Sequence, residues 1–203
     1  MNETDVTAMG EIAALEYLYH YYEKSSGPFR NLSDLPLPEA QAVLDQIKAD
    51  NRVMAAQRYA GYLQRRKELE QIAREIFIAK GGKPVRPVPH YMVVGACAWL
   101  QSWYREGCFV RIPLTAFRAE TLSFTYGDLF PTFSPRVTDQ KEYRRQVYTL
   151  EEIRNLIVRY GMPQGWNQDG VHGPERYIEV QVWDDQPLRD AIISAVPTRI
   201  EPR

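Results

Sequence analysis

The segment "RYIEVQVW" at residues 176–183 alternates between apolar residues and polar or aromatic ones. Successive residues of an extended chain point to opposite faces of a sheet. One face would therefore be wholly apolar, and the other would carry two aromatic rings, a carboxylate and an amide. In order, these two sets are Ile178, Val180 and Val182, and Tyr177, Glu179, Gln181 and Trp183. The segment predicts a strand whose apolar face is covered by another layer of the protein.

Two helical segments are predicted in the first half of the chain. The first begins at Pro38-Glu39, because proline loses no hydrogen bond in the first turn and glutamate suits the positive end of a helix. The second is expected as one continuous helix over 52–79, ended by Gly81-Gly82. Its middle, "QRRKELEQ", is charged on nearly every face, so we expect it to be exposed to solvent. Together the two helices predict a helical arm over residues 38–80.

The second half of the chain predicts strands separated by single helices. A capping box at Thr149 and Glu152 marks the start of one of these helices. The expected strands are 90–94, 108–114, 120–126 and 176–183, and the expected helices are 97–106, 150–160 and 187–194. This order predicts the α+β class, with a small mixed sheet of about five to six strands and a long helical arm near the N-terminus. We expect a single domain over residues 1–203, in which 83–188 form an α/β core completed by 17–23.

Residues 11–22 fit two structures. Helical spacing connects Ile12, Leu15, Tyr19 and Tyr22, whereas "LYHYY" at 18–22 fits an aromatic strand. We predict that Leu18 to Tyr22 is extended and lies beside the strand 176–183, because the two segments share their aromatic character.

The composition argues against several classes of protein. A net charge of −1 provides no overall basic field to attract nucleic acid. No apolar run approaches the roughly 20 residues that cross a bilayer, and the N-terminus lacks the pattern of a signal peptide, so we expect a cytoplasmic protein without membrane contact. Cys97 and Cys108 do not make a disulfide framework. His20, His90 and His172 are too widely spaced to suggest a ligand set, so we expect no metal.

One local basic cluster keeps a nucleic-acid contact open. It consists of Arg136, Lys141, Arg144 and Arg145. Such side chains could meet a phosphate, or they could form an ordinary solvated surface. The helical arm leaves a protein partner or a homodimer open in the same way.

Glu179 in the middle of its strand is the strongest candidate functional residue. A carboxylate flanked by aromatic residues and an amide fits a lined cleft, and it also fits an exposed edge that guards against aggregation. Three other stretches could line the same cleft: Tyr19-His20-Tyr21, His90-Tyr91, and Ser123 to Tyr126.

Several blocks of the sequence resemble known families. The blocks "HYYEKSSGPFRNLSDLP", "PHYMVVG", "LSFTYGD" and "RRQVYTLEEIRNLI…GPERYIEVQVW" are similar to a family of uncharacterised bacterial proteins, over about residues 17 to 188. More distantly, the order of elements resembles the ADP-ribosyltransferases, in particular the DNA-targeting toxin group. That resemblance places His20 of "LYHYY" and Ser123 and Tyr126 of "LSFTY" against NAD, and it makes Glu179 of "RYIEVQV" the catalytic residue.

The resemblance implies cleavage of the bond between nicotinamide and ribose, with NAD as substrate. Glu179 would orient a ribose hydroxyl and stabilise the cationic centre. The residues expected to bind the substrate are His20, Tyr21, His90, Tyr91, Ser123, Tyr126, Tyr177 and Gln181. Two other hypotheses stay open: a nucleotide-binding or small-molecule-binding domain without turnover, and a protein-interaction module that uses the arm.

Overall fold

Among the described residues, five strands form one sheet. The computed structural model describes residues 14–50 and 54–195. The strands are β1 (Tyr17–Glu23), β2 (His90–Val94), β3 (Gly107–Pro113), β4 (Leu122–Tyr126) and β5 (Ile178–Val182), in the spatial order β3-β1-β2-β5-β4. The predicted α+β class and the number of strands are confirmed. All four strand pairs are antiparallel, so the prediction of a mixed sheet is corrected to an antiparallel one.

The helices differ widely in length. They are α1 (Leu37–Asp50), α2 (Tyr62–Ala79), α3 (Ala98–Gln101), α4 (Leu129–Thr132), α5 (Leu150–Tyr160), α6 (Pro163–Trp166) and α7 (Gln186–Ala195). The predicted capping box opens α5, with the Thr149 hydroxyl accepting from the Glu152 amide and the Glu152 carboxylate accepting from the Thr149 amide. None of the described helices is long and apolar enough to span a bilayer.

The first strand is extended, as predicted, but its predicted neighbour is wrong. β1 pairs with β2 and β3, and it does not pair with β5. Both edges of β5 are already occupied, by β2 on one side and β4 on the other, so no edge remains for β1. The alternative of a helix over residues 11–22 is excluded from Tyr17 onward, and its first three residues lie outside the described part of the chain.

One face of the sheet carries the main hydrophobic core. Ile178, Val180 and Val182 of β5 are fully buried there, as their alternation predicts. Residues Ile153, Leu156 and Ile157 of α5 and Leu188 of α7 pack in the same cluster. The α5 and α7 helices therefore form the layer that covers this face.

The helical arm lies on the side of the opposite face. In α2, Leu69, Ala73 and Phe77 pack with Trp183 in a second cluster. Residues 52 and 53 lie outside the described part of the chain, and over 54–79 the predicted continuous helix is wrong, because α2 begins at Tyr62. Gly61, just before it, has φ +85°, outside the helical region, and residues 54–57 form a separate 3-10 turn.

The predicted exposure of the middle of α2 is also wrong for Arg66 and Glu70. The Arg66 side chain is 13% exposed and that of Glu70 is 1% exposed. The Arg66 guanidinium donates to four acceptors at 2.7–3.0 Å: Ser33 Oγ, Glu70 Oε1, Tyr62 OH and Asn31 Oδ1. Tyr91 of β2 donates to the same Glu70 oxygen at 2.8 Å, so this network fastens the arm to the sheet.

Candidate functional site

A cavity of about 530 Å³ lies between the arm and the face of the sheet opposite the main core. Its floor is formed by side chains of β1, β2, β5 and the residue before β5, namely Tyr19, Tyr21, Tyr91, Val93, Glu179 and Tyr177. Aromatic side chains also form much of the wall, with Tyr62 and Phe130 on one side and Trp99, Trp103 and Tyr104 on the other. The Tyr62 and Phe130 rings stack with centroids 4.9 Å apart. Such walls suit a flat ring.

Glu179 is the acidic residue at the floor of the cavity. Only 7% of it is exposed. Its Oε1 accepts hydrogen bonds from the Leu129 amide at 3.3 Å and from Gln181 Nε2 at 3.1 Å. Its Oε2 has no hydrogen-bond partner among the described residues. One oxygen therefore fixes the carboxyl group, and the other is free to contact a ligand.

Asp128 is a second carboxyl group in the same cavity. It caps α4, where its Oδ1 accepts from the Phe130 amide at 2.7 Å. Its Oδ2 accepts from the Tyr177 hydroxyl at 2.9 Å. The turn Gly127-Asp128 after β4 thus brings Asp128 to the side of β5, although Asp128 and Glu179 are 51 positions apart in the sequence.

The surroundings raise the pKa of both carboxyl groups. Burial raises the pKa of Glu179 well above its usual value of 4.5, and the negative charge of Asp128 raises it further. Burial also raises the pKa of Asp128 above 3.8, against the hydrogen bonds from Phe130 and Tyr177. Two such groups in one cavity favour sharing a proton over ionising together. A cationic ligand group beside them would favour the ionised form.

Two arginines of the arm line the cavity, and they differ in their partners. The Arg66 guanidinium donates hydrogen bonds to the four acceptors of its network. The Arg58 guanidinium has no hydrogen-bond or ion-pair partner among the described residues, and its Cζ lies 4.4 Å from the centroid of the Tyr62 ring. Burial lowers the pKa of Arg58 below its usual value.

His20 borders the cavity, and both of its ring nitrogens are already bonded. Nδ1 lies 2.9 Å from the Tyr91 carbonyl oxygen, which can only accept, so Nδ1 donates. Nε2 then accepts from the Phe29 amide at 2.9 Å. Burial lowers the pKa of His20 to about 4, and the hydrogen bond to Tyr91 only partly opposes this. The imidazole is neutral at physiological pH and joins β1, β2 and the loop around Phe29.

His90 is a second histidine at this border. Its Nε2 lies 3.1 Å from Asp185 Oδ1. Burial lowers its pKa, and the nearby Arg86 acts in the same direction.

The structure brings together six of the nine predicted site residues around the cavity: His20, Tyr21, His90, Tyr91, Tyr177 and Glu179. Ser123 and Gln181 are fully buried beneath the floor. Ser123 Oγ donates to Gln181 Oε1 at 2.8 Å, and the Gln181 amide donates to Glu179. These two residues position Glu179 and do not reach the cavity themselves.

Tyr126 does not belong to this site, which corrects the expectation for that residue. It pairs with Ile178 across β4 and β5 and therefore lies on the face of the main core. Its hydroxyl donates to the Gly161 carbonyl oxygen at 2.7 Å. Alternation along β4 places Ser123 and Tyr126 on opposite faces, because their positions differ by an odd number, three.

Sequence reasoning missed Asp128, Arg58 and the aromatic wall from the arm. For Asp128 a signal was present, since an aspartate before Leu129-Phe130-Pro131 is typical of a helix N-cap. For Arg58 and Tyr62 no local signal exists, because their place in the cavity depends on how the arm packs.

The predicted basic cluster is partly neutralised by acidic side chains. Lys141 and Arg144 both pair with Glu175, which is fully buried, and Arg144 also pairs with Asp139 at 2.6 Å. Arg136 and Arg145 remain exposed. A nucleic-acid contact stays a prediction, and these two residues would have to carry it.

No group of three or more metal-binding side chains occurs in the described residues. No protein-family model matches the chain, and no significant match exists among curated proteins or solved structures. The resemblance to the ADP-ribosyltransferases therefore stays a prediction, and the argument for function depends on the cavity.

Proposed function

We propose that the cavity binds a nucleotide and that Glu179 acts on its N-glycosidic bond, in a reaction of the ADP-ribosyltransferase type with NAD as the first candidate substrate. The observation that carries this proposal is the placement of Glu179. It is a buried carboxyl group on the floor of an aromatic cavity, with Oε1 held by the protein and Oε2 without a partner.

The cavity supplies what such a substrate requires. Aromatic side chains can stack on the flat nicotinamide ring, which carries a positive charge in NAD. That charge would draw the Asp128–Glu179 pair toward its ionised form. Glu179 Oε2 would then accept a hydrogen bond from a ribose hydroxyl.

The reaction would proceed by loss of the nicotinamide group. The electron pair of the bond between ribose C1′ and the ring nitrogen passes to the ring, which leaves as neutral nicotinamide. The positive charge that develops at C1′ is stabilised by the Glu179 carboxylate until an acceptor nucleophile attacks C1′. The cavity excludes water from Glu179 in part, which strengthens this interaction.

A release assay tests the proposal. The full chain is incubated with NAD, and free nicotinamide is measured by chromatography. We expect Glu179→Gln to abolish release while NAD still protects the protein against thermal unfolding. Glu151→Gln, at an exposed position of α5, is the matched control and should behave as the unmodified protein. Absence of release by the unmodified protein would contradict the catalytic part of the proposal.

Binding without turnover is the second candidate, and the state of His20 favours it. The resemblance assigns this histidine to the substrate, yet both its nitrogens hold backbone groups of the protein. Thermal protection by NAD or ADP-ribose without nicotinamide release would support this candidate. No protection by either ligand would contradict both.

A further inference from the structure

Arg58 is a charged group that the fold places at the cavity without a partner. It precedes α2 by a few residues, and its side chain is half-buried. Arg66 on the same arm differs from Arg58, because its guanidinium donates to four acceptors of the protein. The Arg58 guanidinium has no such acceptor among the described residues, so its N–H groups are available to a ligand in the cavity.

The cavity carries charges of both signs. Glu179 and Asp128 contribute carboxyl groups, from β5 and from the start of α4. Arg58 lies on the arm, where its guanidinium covers the Tyr62 ring, and its charge reaches Asp128. A ligand in the cavity therefore meets carboxyl groups from the side of the sheet and a guanidinium from the arm.

We propose that Arg58 binds an anionic group of the ligand, so that the cavity selects molecules with a cationic or hydrogen-bond-donating ring at one end and a phosphate at the other. This inference rests on the proposed function and deepens it by assigning the phosphate contact to Arg58. A guanidinium fits the purpose because its planar N–H groups can bond two phosphate oxygens at once. The Tyr62 ring beneath Arg58 fixes the plane of the guanidinium before the ligand arrives.

The test compares two ligands that differ only in a phosphate. Nicotinamide riboside and nicotinamide mononucleotide are titrated into the full chain by calorimetry. We expect the unmodified protein to bind the mononucleotide at least about tenfold more tightly, the usual effect of a charge-assisted hydrogen bond. We expect Arg58→Gln to reduce the mononucleotide to the affinity of the riboside, while the riboside affinity stays within about twofold.

Two further variants sharpen the comparison. Arg58→Lys keeps the charge and should retain part of the preference for phosphate. Arg65→Gln removes an arginine of the same arm that pairs with Glu68 at 3.1 Å and does not line the cavity. This variant should therefore prefer the mononucleotide to the same degree as the unmodified protein. The readout is the ratio of the mononucleotide affinity to the riboside affinity within each variant. A general weakening of the fold lowers both affinities alike and leaves this ratio unchanged.

The outcomes separate the two proposals. If both ligands bind but the unmodified protein shows no preference, or if Arg58→Gln keeps the preference, the role of Arg58 is wrong and the nucleotide site stands. If neither ligand binds, and NAD and ADP-ribose give no protection either, the nucleotide site is wrong and the role of Arg58 falls with it.

Discussion

Glu175 and Glu179 lie four residues apart on either side of the start of β5, and their surroundings shift their pKa values in opposite directions. Glu175 is fully buried, which opposes its ionisation, but hydrogen bonds from Lys141, Tyr143 and Arg144 outweigh burial and lower its pKa. Glu179 has no cation bonded to it, so burial and Asp128 raise its pKa. The fold therefore favours the ionised form of Glu175 and the protonated, uncharged form of Glu179 beside the cavity.

Glu179→Gln should stabilise the protein at neutral and alkaline pH. The folded state holds the proton of Glu179 more tightly than the unfolded state, so the unfolding free energy falls as pH rises above 4.5. Glutamine removes this loss, so we expect the variant to be more stable than the unmodified protein at pH 8. Urea denaturation at pH 4.5 and pH 8 measures the effect, which should be small at the lower pH. A variant less stable than the unmodified protein at pH 8 would contradict the raised pKa.

Glu175→Gln should have the opposite effect. Removing this carboxylate leaves Lys141 and Arg144 without their buried partner, and breaking such a pair costs about 3 kcal/mol. The contribution of Glu175 is present above its unfolded pKa of 4.5 and is lost as pH falls through its lower folded pKa. The loss of stability should therefore be largest at neutral pH and should shrink on acidification. Equal stability of the variant and the unmodified protein at pH 7 would refute the ion-pair network.

His20 should make stability depend on pH between about 4 and 6.5. Its pKa falls from 6.5 to about 4 on folding, so the unfolded state binds the proton more tightly. Its contribution is fully present above pH 6.5 and decreases as pH falls toward 4, by an amount on the order of 3 kcal/mol. The measurement is the difference in unfolding free energy between the unmodified protein and His20→Gln across this range.

Arg66→Met should destabilise the protein far more than Arg65→Met. Arg66 is bonded to the buried Glu70, and loss of such a partner costs about 3–5 kcal/mol. Arg65 pairs with Glu68 near the surface, a contact that contributes about 0–1 kcal/mol. Chemical denaturation of the two variants provides the measurement. Adding Glu70→Leu to Arg66→Met should recover part of the loss, because it removes the unpaired charge.

Tyr126→Phe should lower the stability of the protein without changing ligand binding in the cavity. Loss of the hydrogen bond to Gly161 costs about 1 kcal/mol of stability. Binding of NAD or ADP-ribose should be unchanged, because Tyr126 lies on the other face of the sheet. Tyr177→Phe frees Asp128 Oδ2 inside the cavity and should change ligand binding. A loss of binding in Tyr126→Phe without a loss of stability would return Tyr126 to the site.

The sequence predicted the features that depend on local pattern. The alternation around Glu179 correctly separated Ile178, Val180 and Val182 from the polar face, because the period of a strand is independent of its neighbours. The capping box at Thr149 and Glu152 likewise needs only residues three apart.

The features that the sequence did not reveal depend on distant partners. The "QRRKELEQ" segment has too many charges for a buried helix face, yet Arg66 and Glu70 are buried because Ser33 and Tyr91 complete their hydrogen bonds. Nothing near residue 66 indicates those partners. The role of His20 also escaped prediction, since its acceptor is a backbone carbonyl 71 residues away.

The position of β5 in the sheet has a consequence for the order of folding. Among the described residues it is the last strand in sequence order, and it lies between β2 and β4. A chain emerging from the ribosome can pair β1 with β2 and β3, but β4 has no strand beside it until residues 178–182 are available. Until then β2 and β4 each present an open edge, the kind of surface that pairs with other chains. Closure of the sheet and completion of the cavity floor are therefore a single event, which brings Glu179 to its place only after the other four strands have been made.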